Sequence, residues 1–152
     1  GYIPGAKFKS PAKVIAILSE IVAKGGCLAL GVGPTPDGTI QPEVQKILLN
    51  IGSWMNRNGE AIYNTVTTPH YNDGKTWFTA SKNKKTIYAV YAIEDGETAP
   101  QTITWTVNKP KGKLVLLNTD KAVKYTTNGD KVTVKIPAGT KAEPLAFKFE
   151  KK

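Results

Sequence analysis

Two hydrophobic periods divide the chain. Between Ser10 and Arg57 apolar residues recur every three or four positions, whereas from Trp77 onward they alternate with polar ones. The first period marks amphipathic helix and the second half-buried strand. Ser10-Pro11 opens a helix, with Ser10 as N-cap and Pro11 at the first helical position. Val14, Ile15, Ile17, Leu18, Ile21 and Val22 form its apolar face. Lys24 favours the negative end of its dipole, and Gly25 supplies a left-handed cap. A second helix is expected from about Pro42 to Arg57, with Val44, Ile47, Leu48, Ile51, Trp54 and Met55 on one face. Gly52 inside it costs about 1 kcal/mol against Ala, and a close helix contact is the expected reason. Asn58-Gly59 ends the pattern.

Between the helices, Cys27–Val32 is apolar on both faces, the pattern of a central parallel strand. Cys27 is therefore expected to be a buried structural thiol, not a nucleophile. The loop Gly33-Pro34-Thr35-Pro36-Asp37-Gly38 follows. Helix, strand, loop and helix make the unit of a parallel α/β layer, in which functional residues sit beyond the strand's carboxyl end. Pro34, Thr35 and Asp37 thus have two readings. They form a rigid turn in which Asp37 caps its own backbone, or they lie on the rim of an active-site mouth. A lone parallel strand has no neighbours here, so residues 1–66 are expected to be the end of a larger α/β domain. Thr65 to His70, with Pro69 inside, reads as a polar connector, and residues 67–152 as a second domain.

In that second part Trp77–Ser81 and Thr86–Ile93 flank a turn, as a hairpin does. Thr102–Val107, Leu114–Leu117, Val123 and Tyr125, the alternation Val132, Val134, Ile136, and finally Phe147 and Phe149 supply further strands. Six or seven short strands with regular turns read as an antiparallel β-sandwich. Trp105 alternates with Ile103 and Val107 and is expected in the core, while Trp77 beside Phe78 is open to packing or to stacking on a sugar. His70, the single histidine, is expected to be solvated or locally bonded.

Charge changes little. The net +9 lies mostly on residues 67–152, where lysines alternate with apolar residues as on the solvated face of a sheet. No zinc spacing, RNA-module motif or basic helix accompanies it, so no nucleic-acid partner is expected. No run of eighteen apolar residues would span a membrane. One cysteine excludes an internal disulfide and a Cys-rich metal site.

One stretch is specific. AKGGCLALGVGPTPDGTIQPEVQKILLNIGSWMNRNGEAIYNT resembles the end of the catalytic barrel in α-L-fucosidases of glycoside hydrolase family 29. There the pattern is SKGG-x-LLLNIGP-x-x-DG-x-I, then a helix ending in W-x-x-x-NGE-x-IY. WFTASKNKKTIYAVYAIEDGE and KLVLLNTDKAVKYTTNGDKVTVKIP are similar to strands of the family's C-terminal sandwich. The resemblance implies an α+β fragment: the terminal helix–strand–helix of a (β/α)8-like barrel followed by an antiparallel β-sandwich. It implies a parent enzyme that hydrolyses α-L-fucosides with retention, acts on fucosylated glycans, is periplasmic or secreted, and needs no cofactor or metal. The family often has Asn where this chain has Gly31, and Gly cannot supply that amide. The family's catalytic Asp and Glu lie in earlier motifs that this chain does not contain. Asp37 sits in a turn, Glu43 at a helix start and Glu60 past a helix end, so no catalytic role passes to any of them. The fragment alone is expected to be inactive, with the sandwich bracing the barrel. The rival reading is a carbohydrate-binding sandwich that uses Trp77. Residues 11–55 are expected either to self-associate or to pack on the sandwich. The barrel reading, and the fucoside assignment with it, is staked on Cys27–Val32 not being solvent-facing coil.

Overall fold

The computed structural model describes residues 5–151. The first helix, α1 (Pro11–Ala23), starts as its caps dictate: the Ser10 hydroxyl accepts the Lys13 N–H at 3.1 Å. It ends with Gly25 at φ +84°. The Gly25 N–H donates to Val22 O at 2.9 Å and the Gly26 N–H to Ile21 O at 2.8 Å. This is a Schellman closure, which glycine makes without a Cβ clash. Helix α2 (Pro42–Asn58) runs into a single 3₁₀ turn, Gly59–Ala61.

Nine strands follow: β1 (Thr65–Asp73), β2 (Thr76–Ser81), β3 (Thr86–Tyr91), β4 (Thr102–Trp105), β5 (Pro110–Leu116), β6 (Lys121–Val123), β7 (Tyr125–Asn128), β8 (Lys131–Lys135) and β9 (Leu145–Lys151). They form a six-stranded sheet, β1-β2-β3-β9-β5-β6, and a three-stranded sheet, β4-β8-β7, with every pairing antiparallel. The last strand in sequence therefore lies at the centre of the larger sheet.

That sheet is buried on both faces. Ile87 and Ala89 of β3, with Phe147 and Phe149 of β9, join Ile103, Trp105, Val132 and Val134 of the smaller sheet in one core. Tyr88, Val90 and Ala146 point the other way and meet Ile15, Trp54, Ala61 and Ile62 of the helical layer. Alternation along β3 and β9 feeds two cores from one strand. Trp105, 1% exposed, centres the first core with an edge contact to Phe78 at 5.8 Å and a stack on Phe149 at 6.0 Å.

Three expectations need correction. Thr65–His70 is not a connector but most of β1, an edge strand. Its register with β2 breaks between Thr67 and Asn72, which lets Pro69 sit where no ladder N–H is required. Cys27–Val32 forms no strand, and Cys27 is exposed, as is Leu30 at 45%. A ladder needs a partner, and no described residue offers one to this run. Gly52 has no close contact: a Cβ there would meet nothing within 4 Å. Of the two alternatives for residues 11–55, packing on the sheets is the one seen: α1 and α2 share a core with them.

Candidate functional site

The loop beyond Cys27–Val32 is tied to itself. The Thr35 hydroxyl donates to Asp37 Oδ1 at 2.5 Å, and the Thr39 hydroxyl reaches the same carboxylate at 3.1 and 3.2 Å. The Thr35 N–H donates to Thr39 O at 2.8 Å, closing the loop across its base. These two hydroxyls hold the Asp37 carboxyl below the usual carboxylate range. Because its folded-state value is depressed, the tie is complete above the ordinary carboxylate pKa and is released as pH falls through the lowered one. Pro34 and Asp37 are exposed and Thr35 is half-buried. The loop can present a fixed carboxylate to a ligand, with no second carboxylate bonded into it.

Below the loop lies an open groove of about 190 Å³, lined by Phe8, Leu30, Val32, Val44, Ile47 and Leu48. Gly31 is on its wall, and a Cβ there would meet nothing within 4 Å. The position has room for the side chain that Gly31 does not provide.

The acidic residues do not converge. Glu43 stands in the first turn of α2, while Glu60 follows its last turn. A helix of 17 residues is about 25 Å long, whereas a retaining glycosidase needs its two carboxyls about 5 to 5.5 Å apart. Glu60 is instead spent on Lys148 at 2.8 Å, and that contact raises the lysine's pKa.

At the C-terminal end of α2 the W-x-x-x-NGE-x-IY residues act as a fastening. The Trp54 indole N–H donates to Pro144 O at 2.7 Å from a fully buried ring. The Asn58 side chain donates to Trp54 O at 3.0 Å, and the Thr79 hydroxyl of β2 donates to Ala61 O at 2.9 Å. Arg57 grips Glu143 with contacts of 2.8 and 3.0 Å, and Asn118 donates to both Glu143 and Pro144 O at 3.0 Å. Gly59 is needed for a local reason: a Cβ would come within 3.0 Å of the Tyr63 ring.

Trp77 lies on the helix-facing side of the larger sheet, half-buried. Two neighbours escaped sequence reasoning. Tyr71, 43% exposed, lies nearly parallel to it, with ring centroids 6.5 Å apart and 8° between planes. Lys24 stands over the Trp77 ring at 5.3 Å while bonded to Glu20 at 2.6 Å. Tyr71 is carried there by the irregular segment of β1, which also exposes His70, so no residue spacing announces the pair. The His70 carbonyl accepts from the Asn108 side chain at 2.7 Å.

Comparison with known proteins gives one family. The model described as Alpha-L-fucosidase matches residues 1–60. Rat plasma α-L-fucosidase is 34% identical over 128 residues, covering 69% of this chain and 28% of that protein. Human plasma α-L-fucosidase is 40% identical over 82 residues, covering 52% and 18%. The crystal structure of Thermotoga maritima α-fucosidase superposes with a TM-score of 0.79 at 26% identity, covering 98% of this chain and 36% of that one. The chain thus spans between 18% and 28% of the length of these curated relatives.

Proposed function

Because this chain belongs to the α-L-fucosidase family, glycoside hydrolase family 29, we propose that it is the C-terminal part of an enzyme that hydrolyses α-L-fucosides of glycans with retention. In that chemistry one carboxylate attacks the anomeric carbon and a second group acts first as acid, then as base. The carboxylate pair comes from outside these residues. The helical residues before β1 are the end of the barrel, and the strands from Thr65 onward are an antiparallel sandwich that braces it. A periplasmic or secreted location belongs to the same proposal, in keeping with the plasma enzymes among the relatives.

The observation that carries the reading is the likeness to known fucosidases. Residues 27–32 are too apolar to be chosen for solvent, and the groove formed with Phe8, Val44 and Leu48 is the shape that neighbouring barrel strands would fill. Cys27–Val32 is nevertheless solvent-facing coil, the outcome on which the barrel reading is staked, so this run goes against the barrel strand and the reading is supported instead by that likeness. The family assignment rests on the rat plasma enzyme, 34% identical and covering 69% of this chain, together with the match along residues 1–60. The bracing role is supported by the Trp54, Arg57 and Asn58 contacts, which tie α2 to the sheets. The test is turnover of an aryl α-L-fucoside. The whole enzyme is expected to turn it over, and the 152-residue chain alone is not. Measurable turnover by the chain alone overturns the reading.

A second reading is favoured by the near-parallel Tyr71 and Trp77, a surface on which a neutral sugar ring could stack. It ranks below bracing because Lys24 already covers Trp77. Glycan-array binding that disappears in Trp77→Ala would promote it.

A further inference from the structure

At the C-terminal end of α2 the 3₁₀ turn and the turn between β2 and β3 leave a groove between them, open to solvent and about 600 Å³ in volume. Its walls are fixed to the larger sheet. The Thr79 hydroxyl of β2 donates to Ala61 O at 2.9 Å, and the Thr65 hydroxyl donates to Ile62 O at 2.9 Å. The groove stands at the far end of α2 from the Gly33–Gly38 loop, about 25 Å away. It is also at the other end of β2 from Trp77, about 13 Å along the strand.

Tyr63 is the exposed ring of this groove, at 63%, and it is held in place. Its N–H donates to Gly59 O at 2.7 Å, and its ring lies so close to Gly59 that a Cβ there would come within 3.0 Å. Asn64 follows at φ +56°, a left-handed conformation that Asn adopts more readily than most residues, and it is exposed. Across the groove the Asn83 side-chain oxygen accepts the Ser81 hydroxyl at 2.7 Å and the Lys85 N–H at 3.0 Å. These bonds orient the Asn83 amide, whose NH₂ meets no acceptor among the described residues. Glu60 gives Oε1 to Lys148, and among the described residues its Oε2 takes no hydrogen bond. Tyr88 of β3 is the most buried of the lining residues, at 8% exposed. Burial first, and then the Glu60 charge, push its pKa up, so its hydroxyl stays a donor.

An exposed ring beside two amides, a carboxylate oxygen and a phenol suits a molecule with one apolar face and several hydroxyls. We propose that this groove is an accessory site for a neutral sugar ring, which stacks on Tyr63 and exchanges hydroxyl hydrogen bonds with Glu60, Asn64 and Asn83. The choice of a sugar rests in part on the reading of the protein as a glycan-acting enzyme. The lining itself narrows the ligand. It holds one lysine, Lys82, and one carboxylate, Glu60, so it has no net pull on an anion. It holds no aliphatic side chain, so an apolar peptide gains no burial there. Such a site holds a distant branch of a glycan while the fucosyl end lies at the catalytic mouth.

The test is binding of lactose to the 152-residue chain, followed by calorimetry or by ligand-observed NMR. Binding is expected, and Tyr63→Ala should weaken it about fivefold or more, whereas Tyr63→Phe keeps the ring and should lose less than about twofold. Tyr63 is exposed, so the alanine variant should melt where the parent chain does, which separates a lost contact from a lost fold. Asn64→Gly keeps the left-handed backbone while removing the amide, and should weaken binding about threefold. Galacturonate should bind no more tightly than galactose, its uncharged counterpart. Absence of lactose binding, unchanged affinity in Tyr63→Ala, or tighter binding of galacturonate than of galactose overturns the proposal. So does a loss in Trp77→Ala equal to that in Tyr63→Ala, which would put the sugar on the Tyr71–Trp77 pair. Turnover of an aryl α-L-fucoside by the whole enzyme reports separately on the fucosidase reading, since lactose carries no fucose and its binding needs no catalysis.

Discussion

The two ends of α2 are a natural experiment. At its C-terminal end Trp54 is 1% exposed, its N–H is bonded, and Arg57 and Asn58 hold the helix to the sheets and to its own last turn. Toward the N-terminal end Val44, Ile47 and Leu48 line an open groove, and Leu49 is 75% exposed. One helix has one apolar stripe but two fates. The difference is whether the described residues supply the opposing surface. Apolar periodicity states that a face is to be buried and does not name what buries it.

The sharpest way to break this comparison is at the sealed end. Trp54→Ala removes a fully buried ring and its donated hydrogen bond, and should cost about 3–5 kcal/mol. In a chain of this length that lowers the melting temperature by roughly 10 °C. Pro144 O keeps its bond from Asn118, so the loss reflects the cavity more than an orphaned carbonyl. Trp54→Phe retains most of the bulk and should cost nearer 1–2 kcal/mol. A loss below about 1 kcal/mol for the alanine variant, measured by denaturant unfolding, would show that the helical layer is not fastened there.

Glu143 comes next. Its carboxylate takes Arg57, Lys141 and Asn118 together, with its side chain 13% exposed and that of Arg57 37% exposed. Part of the attraction is therefore screened by water, and Glu143→Ala should cost about 1–2 kcal/mol, less at high salt. Unfolding at two ionic strengths checks it. A loss equal to that of Trp54→Ala would shift the weight of the junction from the ring to the charges.

Sequence reasoning reached the helices because their ends are written locally: Ser10 before Pro11, Gly25 after Lys24, Pro42 at the second start. It also reached Trp105, through alternation with Ile103. It missed β1, because Thr65, Thr67 and Thr68 are polar and Pro69 reads as a break, whereas an edge strand with an irregular register tolerates both. It expected Cys27–Val32 to be a strand with a buried thiol, and these six residues have neither a ladder nor cover. The partners of Trp54 and Arg57 lie some ninety residues away, at Pro144 and Glu143. No spacing could announce them.

Gly52→Ala tests the open side with the opposite sign. Gly52 is exposed in mid-helix, with nothing within 4 Å of a would-be Cβ. The 152-residue chain should gain about 0.5–1 kcal/mol from the lower entropy of the unfolded state. In the whole enzyme the same change should be neutral or costly if another element packs closely there. A gain in both would leave this glycine without a packing reason.

The smallest expected effect says most about the groove. Leu49→Gln and Leu30→Gln alter exposed side chains and should move the stability of the 152-residue chain by no more than about 0.5 kcal/mol. They should nevertheless change its behaviour in solution. We expect the chain at high concentration to self-associate through residues 11–55, since leaving these apolar surfaces in water is unfavourable by about 25 cal/mol per Å². Sedimentation at several concentrations should show association that the double variant reduces. In the whole enzyme, where the barrel reading has neighbouring strands covering Leu30, the Leu30 change should instead destabilise by about 2 kcal/mol or more. A monomeric chain at every concentration, together with a Leu30 change harmless in the whole enzyme, would mean that the run from Cys27 to Val32 is a solvated loop. The contrast between the two ends of α2 would then lose its explanation.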